Sequence, residues 1–189
     1  MTLFLRTGYR GTSMDEIAAL AAVSKQTVYK HFADKESLFS EIVVATVSEI
    51  SDPVHEAVAK LEGSDDAEAD LRGVARELLR MVMQPRILQL RRLVIGEAGR
   101  FPELGRTFYE QGPGRTIAAL ASAFERLAER GVLQVDDPQL AAAHFNWLVM
   151  SIPLNRAMFL GEDRPPARAE LNRYADAGVR AFLAAYAQP

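Results

Sequence analysis

Lys25, Gln26 and Thr27 follow Ser24 directly and bring three different hydrogen-bonding groups to the start of a helical pattern. A lysine donates to guanine O6 and N7, a glutamine pairs with adenine through two hydrogen bonds, and a threonine methyl meets the methyl of thymine. In the first turn of a helix these are the residues that reach base edges in a major groove. Tyr29, Lys30 and His31 stand further round the same helix and suit phosphate oxygens, as does Lys35 at the start of the next one. The chemistry on offer is non-covalent recognition of duplex DNA.

The elements that must hold these side chains can be placed from their caps. Ser13 with Glu16 three residues later forms a capping box, in which each side chain satisfies a free backbone N–H of the other residue. A helix therefore starts near Ser13, with Ile17, Leu20 and Ala21 as its expected buried stripe and Ala18, Ala19 and Ala22 allowing close approach. Thr12 and Ser13 also bring a helix N-terminus, with its free N–H groups, to where a phosphate could sit. Ser24 caps a second helix whose apolar anchors are Val28 and Phe32, and Asp34 caps a third carrying Leu38, Phe39, Ile42 and Val43. Taken singly, Lys25, Lys30 and Lys35 read as ordinary solvated charges. The capped turn, the polar face and the aromatic-basic cluster Tyr29-Lys30-His31-Phe32 together favour recognition.

Over these residues, GYRGTSMDEIAALAAVSKQTVYKHFADKESLF, the chain resembles the DNA-binding signature of the TetR family of one-component bacterial repressors. The resemblance includes the Gly-Tyr before the first cap and the Tyr-x-x-Phe followed by Lys-Glu-x-Leu. It implies an all-α protein with a three-helix DNA-binding domain, here residues 1–45, and a helical ligand-binding and dimerisation domain, residues 46–189. Family members carry a longer first helix, so Met1 to Tyr9 is expected to be a helix lacking about two turns of roughly 3.6 residues each, ended by Gly8.

Composition bounds the alternatives. The chain has 189 residues, 49% hydrophobic and 25% charged, enough for one core and a small appended unit. A net charge of −3 confines any DNA contact to a local basic patch. With no cysteine, disulfides and thiol chemistry are excluded. No apolar run matches a membrane span and no leader is apparent, so a cytoplasmic place is the expectation. No nucleophile-base set, metal-ligand spacing or glycine-rich phosphate loop stands out, which leaves an enzyme without residues and predicts no cofactor and no metal.

The rest of the chain reads as helices. A long one from Asp34 to about Leu61 should kink or restart at Pro53. Glu62 to Asp70 reads as an acidic loop. Helices then follow over Leu71 to Met83, Arg86 to Ala98 and Glu103 to Gln111. Gly112-Pro113-Gly114 should break the chain before Arg115 to Arg130, closed by Gly131. Leu90 to Pro113 resembles the AefR-like branch of family C-terminal domains. Met81, Arg91, Phe108, Tyr109, Phe124, Trp147 and Met150 are candidates to line an effector pocket, against the alternative that they fill the core. Asp137-Pro138 starts the next helix, expected to kink at Pro153, and the last runs from about Ala167 after a link at Gly161 to Pro166. The resemblance implies that these two helices form a four-helix dimer bundle, with Leu140, His144, Leu148, Leu171, Tyr174, Ala175, Gly178 and Phe182 as the candidate seam. His144 reads as a hydrogen-bonded core histidine rather than a ligand to a metal.

The sequence thus points to a homodimeric regulator of transcription, a repressor that a small apolar or amphipathic effector releases from a palindromic operator. A helical small-molecule-binding protein without DNA-binding activity is the alternative.

Overall fold

The computed structural model describes residues 1–61, 63–161 and 166–188. It is all-α: α1 (Thr2–Gly11), α2 (Met14–Leu20), α3 (Lys25–His31), α4 (Lys35–Leu61), α5 (Ala67–Val82), α6 (Pro85–Ala98) and α7 (Pro102–Tyr109) come first. A π-helical turn over Glu110–Gly114 leads into α8 (Arg115–Glu129), followed by α9 (Pro138–Leu160) and α10 (Arg168–Tyr186). The sequence led us to expect a break at Gly112 to Gly114, but the backbone instead widens its hydrogen-bonded turn and stays helical. Both internal prolines, Pro53 in α4 and Pro153 in α9, lie within continuous helices. The acidic loop is shorter than expected because Asp66 caps α5 by accepting from the Ala69 N–H at 3.0 Å. Glu62 and most of the link after Gly161 lie outside the described residues.

The chain sorts into two compact units, one of residues 1–49 with 89–112, the other of residues 50–88 with 113 onward. In the first, Phe4, Tyr9, Phe39, Val43, Val47, Leu90, Val94, Leu104 and Phe108 form the larger of two clusters. Tyr9 touches Phe39 and Phe101 edge-on, with ring centroids 5.2 and 4.9 Å apart. The smaller cluster, Met14, Ala18, Val28 and Leu38, joins α2 and α3 to the start of α4. This corrects the expected stripe of α2: Leu20 is 64% exposed and Ala21 is exposed, while Met14 and Ala18 take the buried positions. The face is rotated by about one position because α2 begins only at Met14 and its first turn is what meets α4.

In the second unit α9 lies against α8, α10 and α5, and α10 against α5. Phe124, Phe145 and Phe182 meet at its centre. Gly131, at φ +72°, closes α8 as expected, its successor's N–H reaching the Leu127 carbonyl at 2.9 Å. The segment after α8 then joins the end of α10, Gln134 N–H donating to the Tyr186 carbonyl at 2.7 Å. A close backbone approach is at Gly178, where a Cβ would stand 2.9 Å from Val149 Cα and 3.0 Å from the Leu148 carbonyl oxygen. Gly178→Ala is therefore expected to cost about 1–3 kcal/mol in urea unfolding through overpacking. Gly96→Ala, with nothing near its added methyl, should instead gain about 0.5–1 kcal/mol from helix propensity.

A second expectation concerns alkali. Burial, and after it the carboxylates of Glu36, Asp34 and Glu97, push the Tyr9 phenol up to about 12 from 10.0. A raised phenol favours the folded state fully below pH 10.0 and loses that contribution as pH rises toward about 12. Tyr9→Phe should flatten the fall in unfolding free energy across that window while leaving stability at neutral pH nearly unchanged.

Candidate nucleic-acid interface

The candidate base-reading side chains lie on α3, seven residues long with only Val28 buried. Ser24 fixes its start, accepting from the Thr27 N–H at 3.0 Å, and the two hydroxyls of Ser24 and Thr27 meet at 2.8 Å. With its hydroxyl occupied there, Thr27 has its methyl left to offer. Lys25, Gln26, Thr27, Tyr29, Lys30 and His31 are all exposed. Lys25 Nζ lies 2.5 Å from Asp15 on α2, but its side chain is 66% exposed, so this pair holds the lysine only loosely.

Upstream, the capping box forms as expected: Ser13 N–H donates to Glu16 Oε2 at 2.8 Å, and Glu16 N–H to Ser13 Oγ at 3.2 Å. The Ser13 hydroxyl also donates to Glu16 Oε2 at 2.8 Å, and this bond, followed by the one from the Ser13 backbone N–H, holds the Glu16 carboxyl below the usual carboxylate range. Thr12 needs correcting as a phosphate-facing group. It is 2% exposed, and its hydroxyl donates to the Gly8 carbonyl at 2.8 Å while meeting Thr7 Oγ1. The reason is local: Gly8 opens α1 with a positive φ of 75°, and Thr12 satisfies the carbonyl freed there.

Lys35 reaches inward in a way the sequence did not signal. Its ammonium donates to the Tyr9 carbonyl at 2.8 Å and the Thr12 carbonyl at 2.9 Å, and sits 4.7 Å from the Tyr9 ring centroid. Two of its three N–H donors are thereby spent within the protein, and one remains for an outside acceptor. Nothing in the periodicity of α4 could have announced this, because the carbonyls lie more than twenty residues upstream.

Residues 1–42 match the family model for bacterial regulatory proteins of the tetR family. Residues 69–188, more than half of the chain, match that for the C-terminal domain of AefR-like transcriptional repressors. The chain belongs to the TetR family. A TetR-family transcriptional regulator from Mesorhizobium loti MAFF303099 superposes with a TM-score of 0.91 at 47% identity, over 97% of this chain and 91% of its own. The Flavonoid-responsive Regulator FrrA gives a TM-score of 0.78 at 34% identity, over 98% and 92%. The HTH-type transcriptional regulator AcrR of Shigella flexneri is 36% identical over 97 residues, 51% of this chain and 42% of that protein, so the chain spans under half the length of that curated relative. TetR proteins are regulators of transcription and not enzymes. No described helix is long and apolar enough to cross a membrane, and no described cluster of His, Asp or Glu is arranged to hold a metal.

The remaining candidates of this TetR chain are divided between the two units. Arg91, Phe108 and Tyr109 belong to the first unit, where the Arg91 guanidinium lies 5.3 Å from the Phe108 ring and burial lowers its pKa. Met81, Phe124, Trp147 and Met150 belong to the second. There Phe124 and Met150 are core, whereas Trp147 is 43% exposed. An open groove of about 550 Å³ in that unit is lined instead by Ala57, Arg76, Arg80, Met83, Arg168 and Leu171 among others. The candidate seam also divides. Leu171, Ala175, Gly178 and Phe182 are spent inside the protomer and Tyr174 is half-buried, because this face of α10 is covered by α9 and α5. Leu140, His144 and Leu148 are exposed. His144 is thus a surface residue rather than a core one, its Nδ1 2.6 Å from the Tyr186 hydroxyl.

Removing the α3 cap tests how firmly this element is held. Ser24→Ala should cost about 1 kcal/mol, read as faster amide exchange at Thr27 and Val28 with little change in α9.

Proposed function

We propose that this chain is a homodimeric repressor that reads a palindromic operator through α3 and leaves it when a small apolar or amphipathic effector binds the helical body. The reading domain is residues 1–45 and the body residues 46–189. The observation that carries this is the exposure of Lys25, Gln26 and Thr27 on a capped turn, with Val28 the one buried residue of α3. Ser13, Tyr29, Lys30 and His31, and the remaining donor of Lys35, are the phosphate contacts. The interface lies on DNA in the cytoplasm.

Dimerisation is supported by an apolar stripe along α9. Leu140, Trp147, Leu148, Ile152 and Phe159 are 50, 43, 42, 56 and 83% exposed, at the spacing of one helix face. On α10 the exposed positions Ala177, Ala181 and Ala184 are small and repeat every three or four residues, which lets a second helix come close. Two subunits joined here would carry two recognition helices, which must lie about 34–36 Å apart to enter successive major grooves. An effector shifts the balance only through unequal affinity for two conformers, and a coupling of about 1–3 kcal/mol changes DNA affinity about 5–150-fold. Response to a flavonoid, as the name of FrrA states for that protein, supports an aromatic or amphipathic effector.

Selection of bound duplexes from a random pool tests the reading. Recovery of a symmetric motif with half-sites one helical turn apart is the expected result, and failure to enrich any duplex favours a helical small-molecule-binding protein without DNA activity. On the selected duplex, Gln26→Ala should relax preference at one position by about 1–3 kcal/mol, while Lys30→Ala should weaken all duplexes alike and reduce the salt slope by about one. Trp147→Asp should yield monomers in sedimentation velocity at micromolar protein and lower duplex affinity by more than about tenfold.

A further inference from the structure

Asn146 lies on α9 with no solvent exposure, and neither its amide nitrogen nor its amide oxygen has a hydrogen-bond partner in the protein. A carboxamide brings two N–H donors and an oxygen that accepts twice. Groups buried like this are almost always paired, so an orphaned one points to a guest that is not part of the chain.

The surroundings restrict that guest. Phe145 stands next to Asn146, and Ala142, Val149 and Met150 lie within one turn of it, all buried. Phe145 in turn meets Phe124 and Phe182, with ring centroids 5.7 and 5.2 Å away. Among the described residues of this unit the buried side chains with polar atoms are Ser51, Ser64, Thr116 and Asn146, and none is charged. A carboxylate or ammonium entering here would find no fully buried counter-charge, and amide hydrogen bonds do not offset that loss of hydration. Met150 has the unbranched, flexible stem that can swing aside to admit a guest.

We infer that Asn146 is the polar anchor of the effector site, and that it takes a neutral, mainly apolar small molecule through a hydroxyl or amide group. This rests on the effector-responsive reading above and adds the chemical class of the effector.

The test uses the full chain and its Asn146→Leu variant, titrated calorimetrically with 4-phenylphenol, its hydroxyl-free parent biphenyl, and 4-phenylbenzoate. Wild type should bind 4-phenylphenol about tenfold more tightly than either of the others, the ratio expected for one added hydrogen bond. Asn146→Leu should lose that preference yet still bind biphenyl. The thermal midpoint of the free variant should stay level or rise, since an unpaired amide is exchanged for an apolar side chain of similar size. A preference that survives in Asn146→Leu, tightest binding of the benzoate, or no binding of any probe overturns the proposal. So does a midpoint lowered by several degrees, which means that the amide is already satisfied by water in the free protein. If Asn146→Leu does not fold, Asn146→Ala is read in its place by the probe preference alone. Duplex binding is measured alongside: failed probes with intact DNA binding sink the anchor alone, whereas the expected probe pattern without DNA binding sinks the repressor and leaves the anchor.

Discussion

One ammonium, on Lys35, lies where the end of α1 and the beginning of α4 meet. It crosses between two backbone carbonyls and covers the Tyr9 ring, which itself abuts Phe39 and Phe101. Charge-assisted hydrogen bonds to carbonyl oxygens are stronger than neutral ones, and these join residues more than twenty positions apart. The junction matters for α2 and α3 because the cluster beneath them buries only Met14, Ala18, Val28 and Leu38 fully, with Ile17, Phe32 and Ile42 partly buried against it. So small a core defines an orientation weakly by itself, and caps and the lysine add to what packing supplies.

That economy has a purpose in a TetR protein. A helix that spends one residue on the core keeps the rest for an outside partner, and α3 does so with Val28 alone. The same trade appears at Ala22, the one described non-glycine residue with a positive φ, at 54°, in the turn that leads from α2 to α3. Left-handed backbone is costly for a residue with a Cβ, so the turn persists because Ser24 and the residues around it fix both ends.

Much of this was legible in the sequence, and unevenly so. Ser13 with Glu16, Ser24, Asp34 and Asp137-Pro138 are short-range devices whose partners lie three residues away, and each forms the cap its spacing implies. Lys35 escaped because its partners lie outside any local window; Thr12 escaped because its partner, the Gly8 carbonyl, is freed only by the positive φ that Gly8 adopts. On α9 the difficulty was different: apolar residues occur on both sides of the helix, so periodicity reveals no single buried face. Ala142, Phe145 and Val149 went to the core, while Leu140, Trp147 and Leu148 stayed outside. Asn146 gave no warning either, since one amide among apolar neighbours reads as a surface position until its burial is seen.

The contact of Gly178 with the Val149 backbone has a consequence for assembly. With no side chain between them, α9 and α10 are keyed together and cannot easily slide or rotate past each other. The outward ridge from Leu140 to Phe159 is borne on a stiff two-helix plank, already ordered before anything touches it. Docking on such a plank forfeits little conformational freedom, so a modest apolar area there can yield a long-lived complex.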